Sequence, residues 1–399
     1  MTIAPALTRW PVISVPSLAL VLLASPASAQ DTVSGVLSFL LTNQAVVTDD
    51  FANDRDAAAA TRDTVSRYLQ ISLATLPISS SAGGFIYRFN PSLGTVERAS
   101  DTFGPFFLER ALTSGRGQTS VGFTFRHASF DTIDGRDLRD GSLVTTANQL
   151  AAEAAPFDVD TLTLRLDAAT YTLFGSYGVT DRLDIGAAVP VVNLSVSGER
   201  QNVYRGTVLQ QARGSAFAAG VADISIRTRY GVWQSRYAGL AAAAEIRLPT
   251  GDEAQLLGAG RAGMHVSALA SMENGRIGTH ARIGIGRGGA SNEVSFGAAA
   301  VAAVTPRFNL IGEVLGRRLG DLAGIRDVAA PHPQLPNVST LRLLPADRPG
   351  TTVLGVTGFK WNLAGTWLLN ANVVFPLSTA GLSAGATPSL AIDYTFDRR

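Results

Sequence analysis

Between Gln118 and Phe396 the apolar residues of this chain recur at every second position. After residue 30, no stretch reaches the roughly 18 uninterrupted apolar residues that a membrane-spanning helix demands. Ala238, Leu240, Ala242, Ala244, Ile246 and Leu248 alternate with Gly239, Ala241, Ala243, Glu245 and Arg247. Met264, Val266, Ala268, Ala270 and Met272 alternate with Gly263, His265, Ser267, Leu269 and Ser271. Successive side chains of a strand point to opposite faces, so this period gives one oily and one polar face. A chain that is 46% hydrophobic without a long apolar run must spread its oil over the outside of strands.

Twelve such runs begin near Gln118, Asp160, Arg182, Val221, Tyr237, Ala262, Arg276, Asn292, Arg307, Gly350, Thr366 and Ala386. An even number fits a barrel whose two ends return to the same side of a membrane. The connections alternate in length. Gly178 to Asp181, Gln234 to Arg236, Glu273 to Gly275, Thr305-Pro306 and Asn362 to Gly365 are tight turns. Asp131 to Val159, Gln201 to Gly220, Gly251 to Arg261, Leu319 to Pro349 and Leu377 to Gly385 are long, and only Gly288 to Ser291 breaks the rule. Short inner turns and long outer loops are the habit of bacterial outer-membrane barrels. Tyr177, Trp233, Tyr237, Phe308, Trp361, Trp367, Tyr394 and Phe396 fall beside the short turns or at the last strand end, where a girdle of rings would meet a membrane interface. The fold expected is a transmembrane antiparallel β-barrel of about 12 strands over residues 117–399.

The first thirty residues read as a signal peptide: Arg9, an apolar run from Val12 to Leu23, then Ala27-Ser28-Ala29 before a cleavage site at Gln30. Export would place the barrel in the outer membrane of a Gram-negative cell, with membrane lipid and the barrel assembly machinery as partners. Loss of Arg9 with the signal leaves 32 basic and 32 acidic residues, a balance that gives no footprint for nucleic acid. Cysteine is absent, which excludes disulfides and thiolate metal sites. All basic residues are Arg except Lys360, which reads as a bias of composition.

Residues 31–116 have a different texture. Ala58, Val65, Leu69 and Leu73 suggest one amphipathic helix over Ala57 to Leu73, and Gly84 to Phe89 with Gly94 to Ser100 flank a turn at Asn90 to Leu93. This region is expected to be a periplasmic or plug segment. If its hairpin joined the wall, the barrel would have 14 strands.

Arg182 to Pro190 (RLDIGAAVP), Val221 to Tyr230 (VADISIRTRY) and Arg247 to Gly258 (RLPTGDEAQLLG) resemble the outer-membrane proteins labelled "MetA-pathway of phenol degradation". The resemblance covers Gln118 to Phe396, with Leu248 to Asp252 its most specific piece. It extends more distantly to channels for long-chain fatty acids and aromatic hydrocarbons. It implies a barrel that passes small apolar or aromatic solutes, and it brings no catalytic residues.

If the oily face meets lipid, the other face lines a lumen. Alternation places there Arg126, Arg165, Arg227, Arg229, Arg247, Arg282 and Arg317, with Asp167, Asp184, Asp223, Glu245, Glu293, Glu313 and Asp393. Equal numbers of both signs suggest paired charges that hydrate or fill a narrow barrel; Arg227, Arg229 and Arg247 would otherwise form the basic wall of a constriction. His127, His265 and His280 are expected to face inward, without the further spaced ligands that a metal site needs, and His332 belongs to an outer loop. No nucleophile elbow, phosphate-cradling loop or His-Glu-x-x-His helix occurs, so no enzyme chemistry and no cofactor are expected. Passive transport of small solutes is the leading expectation. A structural or adhesive surface barrel with a closed lumen is its rival, and an outer-membrane hydrolase ranks behind both.

Overall fold

The computed structural model describes residues 32–42, 63–65, 68–69, 87–90, 95–98, 100, 102–235, 237–332 and 334–396. The expected signal segment lies outside them, as does most of the helix expected over residues 57–73. Its described residues 63–65 and 68–69 are helical.

Twelve strands among the described residues close on one another. They are β1 (Thr119–Phe130), β2 (Asp158–Gly178), β3 (Leu183–Tyr204), β4 (Ser225–Gln234), β5 (Ala238–Arg247) and β6 (Gly263–Asn274). The circuit continues with β7 (Ile277–Gly288), β8 (Glu293–Thr305), β9 (Phe308–Pro331), β10 (Val338–Ala364), β11 (Trp367–Pro376) and β12 (Thr387–Phe396). Each pairs antiparallel with its neighbours, and β12 meets β1 from Phe396↔Thr119 to Ser389↔Arg126, so no edge is left along the shared span. Tyr87–Asn90 and Thr95–Arg98 form the expected hairpin as a two-stranded sheet of their own, which settles the wall at twelve strands rather than fourteen.

The period of two is realised along the wall. In β6, Met264 and Met272 are exposed outward while Ser267, Leu269, Ser271 and Glu273 are buried inside. Tyr177, Trp233, Tyr237, Trp361, Trp367 and Phe396 project outward at the end that carries the short turns, where the Tyr394 ring lies tilted against Trp367 at 4.7 Å and edge-to-face with Phe396 at 4.8 Å. Among the described residues no helix is long and apolar enough to cross a membrane, so crossing falls to the strands. Ala242 faces out and Ala243 in. Ala242→Arg is therefore expected to cost about 2–4 kcal/mol near the midplane, and to reduce the heat-modifiable folded form in membranes far more than Ala243→Arg. Equal yields of the two variants would reject this register.

Two connections expected as loops are strand instead. β3 runs on to Tyr204 and pairs with Thr207–Val221, and β9 and β10 remain paired out to Pro331↔Ser339. The connection 131–159 also contains strands, at Thr132–Ile133, Arg136–Asp137 and Leu143–Leu150. Away from lipid a strand no longer needs an oily outer face, so the alternation that marks the wall fades there.

This outer extension encloses a helix that the sequence reading missed, Val33–Thr42. Val33, Val36, Leu37, Leu40 and Leu41 have the i, i+3, i+4, i+7, i+8 spacing of one apolar face, and all are buried. Thr32 starts it: its Oγ1 accepts from the Gly35 N–H at 3.0 Å. The apolar face packs on Leu162, Leu164, Leu166, Leu194 and Val196. Tyr68 joins the same cluster, donating to Asp134 at 3.4 Å; burial and the neighbouring carboxylate raise its phenol above the ordinary value.

Candidate functional site, the barrel interior

The interior is crossed by residues 102–116, the segment just before β1. All but its end is buried. Gly104-Pro105 breaks regular structure here, and a segment without a ladder must find partners for its backbone among side chains. Strands around the wall supply them. Glu313 of β9 accepts from three successive backbone N–H groups, those of Phe106, Phe107 (3.1 Å) and Leu108 (3.2 Å). Ser271 of β6 accepts from the Ala111 N–H at 2.8 Å, and Asp184 of β3 from the Ser114 N–H at 3.0 Å. Arg229 of β4 pairs with Asp184 and donates to the Arg110 carbonyl at 2.9 Å. Lys360 of β10 donates to the Pro105 carbonyl at 2.9 Å, with its ammonium 5.4 Å from the Phe106 ring centre.

Side chains of the segment reach back to the wall. Arg110 pairs with Glu273 at 3.2 Å, and Glu109 lies 3.7 Å from Arg227. Phe106 and Phe107 pack on Val301, Ile311, Val356 and Val374, whereas Ala111 packs on Ala241 and Leu269. A carboxylate that receives several N–H donors in a dry interior is among the stronger anchors available to a loop.

Most of the residues expected in the lumen are inside it. Arg126, Asp184, Arg227, Arg229, His280, Glu313 and Asp393 are buried there, and Glu245, Arg247, His265, Arg282, Glu293 and Arg317 are half-buried on the same face. Their charges pair. Glu245 holds Arg227 and Arg247, each at 2.7 Å; His265 lies 3.7 Å from Glu293; Asp393 accepts from Asn370 at 2.6 Å.

Four placements depart from expectation. Arg165, Asp167 and His127 lie on the outer surface, because the outer halves of β1 and β2 turn their apolar residues inward against the helix. Asp223 is only partly turned to the lumen. It accepts from the Gly251 N–H at 3.1 Å and the Ala259 N–H at 2.9 Å, and so clamps the loop 248–262.

That clamp explains the Leu248 to Gly258 wording. A Cβ on Gly251 would sit 2.5 Å from the Leu257 carbonyl oxygen, so the close return of the loop requires glycine there. Folded this way, the loop presents the Ala254 carbonyl to the Ser34 N–H at 3.1 Å and buries Leu256 and Leu257 beside the helix. Residues 254–257, just beyond the most specific piece of the sequence, thus seat the amino-terminal helix.

The sequence reading also missed Glu273, Lys360 and the placement of residues 102–116. Glu273 continues the inward phase of β6, and Lys360, the single Lys, occupies an inward position of β10. Among the described residues two hydroxyl–imidazole pairs invite a nucleophile reading, Ser271 with His280 and Ser295 with His265, each at 2.8 Å. Both hydroxyls are buried, and that of Ser271 is already engaged by the Ala111 N–H, which makes it a backbone anchor. Among the described residues no group of three or more metal-ligating side chains converges.

The interior contains an apolar cavity, open in part to solvent, towards the long-connection end. It lies where the β12–β1 pairing stops at Ser389↔Arg126 while β1 runs on to Phe130. Its lining includes inward residues such as Ala128 and Val374, and also Val353 and Phe375 from the outward phase of β10 and β11.

No family model matches the chain, and no curated protein matches it. Among solved structures it is similar to a COG4313 outer membrane channel from Pseudomonas putida F1, with a TM-score of 0.47 and 14% identity over 72% of this chain and 98% of that one. The transport unit of the autotransporter AIDA-I from Escherichia coli aligns with a TM-score of 0.36 and 12% identity over 73% and 94% of the two chains. The CymD monoaromatic hydrocarbon channel aligns at 0.27 and 9%, over 71% and 89%. The resemblance to the phenol-degradation transporters stands on the stretches 182–190, 221–230 and 247–258 alone.

Proposed function

We propose that this chain is an outer-membrane channel for small apolar or aromatic molecules, exported by its amino-terminal signal and working passively. The observation that carries the reading is the apolar cavity at the β12–β1 seam, lined by residues from both faces of the wall. A ligand site of this kind is concave, mostly apolar and has few polar groups. Residues 102–116 obstruct the lumen below it, which argues against a wide aqueous pore along the axis. Solute would enter beside the outer hairpins and leave through the wall at the seam. A transporter role in phenol catabolism, implied by the sequence resemblance, belongs to this proposal.

The obstructed lumen and the long outer hairpins also favour a second reading, a closed surface barrel that binds partners. Intact Gram-negative cells separate the two, because their lipopolysaccharide excludes apolar probes. Cells making this protein are expected to take up N-phenyl-1-naphthylamine several-fold faster than vector controls, while liposomes holding it swell in arabinose no faster than empty ones. Unchanged probe uptake would favour the closed barrel, and rapid swelling would favour a hydrophilic pore.

A further inference from the structure

One connection forms the outer side of the apolar cavity. Ala380, Gly381, Leu382, Ser383 and Ala384, which help to line it, lie between β11 and β12. The wall does not hold them. β11 and β12 pair with each other only as far out as Val374↔Thr387, and β12 meets β1 no further out than Ser389↔Arg126. The connection is rooted on β10, where the Leu377 N–H donates to the Val353 carbonyl at 2.8 Å.

A clasp holds it instead. Leu382 and Ser383 pair with Ile133 and Thr132 of a hairpin that turns at Asp134-Gly135, both at positive φ, as a two-residue Asp-Gly turn requires. The Asp134 N–H donates to the Gly381 carbonyl at 2.9 Å, and the Asp134 carboxylate accepts from the Ile325 N–H of β9 at 2.7 Å. Asp131 adds two bonds, from its N–H to the Ser383 carbonyl at 3.0 Å and from the Gly385 N–H to its carboxylate at 3.2 Å. Into this junction reaches Tyr68 of the amino-terminal segment. Its hydroxyl accepts from the Gly381 N–H and donates to Asp134 at 3.4 Å, and its ring is buried in the apolar cluster that seats the helix 33–42. The same cluster includes Ala128, Phe130 and Ala384 of the cavity lining, so latch and cavity share one oily surface.

We propose that residues 379–385 are a lid on the apolar cavity, latched shut by the Tyr68 hydroxyl, and that apolar solute enters when the latch releases. The proposal rests on the preceding reading that the cavity admits apolar solutes, and it adds the step that admits them. A short ladder and a few loop hydrogen bonds open ahead of a twelve-stranded wall. In the closed lid the Gly381 N–H is buried with the Tyr68 oxygen as its partner, whereas in the open lid water takes that place. Removing the hydroxyl therefore costs the closed state alone and shifts the balance towards the open one.

The test measures uptake of N-phenyl-1-naphthylamine by intact cells making the full chain, normalised to heat-modifiable folded protein. Tyr68→Phe keeps the ring and is expected to speed uptake about threefold to tenfold, the scale of one hydrogen bond. Ile133 and Leu382 face each other beside the Asp134–Gly381 bond as a non-hydrogen-bonded pair, whose Cα atoms stand about 4.5 Å apart, within reach of a disulfide. Ile133→Cys with Leu382→Cys is expected, once oxidised, to bring uptake down to that of vector controls, and reductant to restore it. Tyr68→Phe added to the oxidised lock is expected to regain nothing. Should one variant fail to fold, the other decides without it. Wild-type uptake that Tyr68→Phe leaves unchanged would overturn the latch, and uptake that the closed disulfide leaves unchanged would overturn the lid, in both cases with the apolar-solute reading intact. Uptake at the vector level by the wild type and Tyr68→Phe alike would overturn that reading and the lid with it.

Discussion

Removal of residues 31–111, with residues 1–30 kept, is expected to leave an assembled barrel whose liposomes swell in arabinose at least about tenfold faster than those of the full chain, since barrels between the roughly 8-strand filled type and the roughly 16-strand porins have room for water once emptied. Residues 102–111 lie across the lumen, and among the described residues every wall pair lies between Thr119 and Phe396. Their partners Glu313, Glu273, Arg229 and Lys360 are all charged, so water replaces the lost contacts at little cost. The outer vestibule loses its helix as well, which opens the far end. Folded protein is measured by heat-modifiable migration, and swelling is normalised to it. A folded barrel that swells no faster would show that the segment is not what closes the lumen, and loss of the folded form would show that the wall is built around it.

A cross-link is expected to hold the same segment in place. A Cβ built on Gly239 of β5 lies 3.7 Å from the Ala111 Cβ, close to the mean of about 3.8 Å in disulfides. The chain has no cysteine of its own to compete, and the periplasm is oxidising. Ala111→Cys with Gly239→Cys should therefore be exported as a folded barrel in which nearly all of both thiols resist maleimide until reductant is added. The Leu112 side chain, 3.0 Å from the new Cβ, has to shift by a rotamer. If permeation of sugars ever needs the segment to swing aside, the oxidised form will show none of the rare opening events that reductant restores in single-channel records. Thiols that stay open to maleimide in folded protein would place Ala111 away from β5.

The wall was legible because lipid on one side and a polar lumen on the other impose a period of two on every strand, and glycine, proline and asparagine mark the short turns. Every strand but β10 starts within a few residues of its expected position; β10 begins at Val338 rather than near Gly350, because its outer part stays paired with β9. The inward charges followed from the same phase, as Arg227, Glu245 and Arg247 show. The phase rule failed where its cause is missing. Arg165 and Asp167 lie beyond the lipid, on a stretch of β2 whose leucines face a protein helix instead, so the oily face is the inner one. The spacing of Val33, Val36, Leu37, Leu40 and Leu41 was visible but sat directly after the expected signal, in a region read as a periplasmic or plug segment whose helix was expected at Ala57 to Leu73. Residues 102–116 have no period at all. Their structure is set by Glu313, Ser271, Asp184 and Lys360, residues up to 255 positions away, and nothing local announces it.

Residues 32–42 and 102–116 lie inside a cylinder whose last seam joins the first strand of the wall to its twelfth. That seam unites parts of the chain separated by nearly the whole barrel, the slowest kind of contact to form. During biogenesis the amino-terminal stretch must already be positioned when the ring shuts, or it must thread a finished cylinder afterwards. A ring able to close without residues 31–111 is expected to close over them when they are present, and the same stretch supplied as a separate peptide after closure is expected not to be captured.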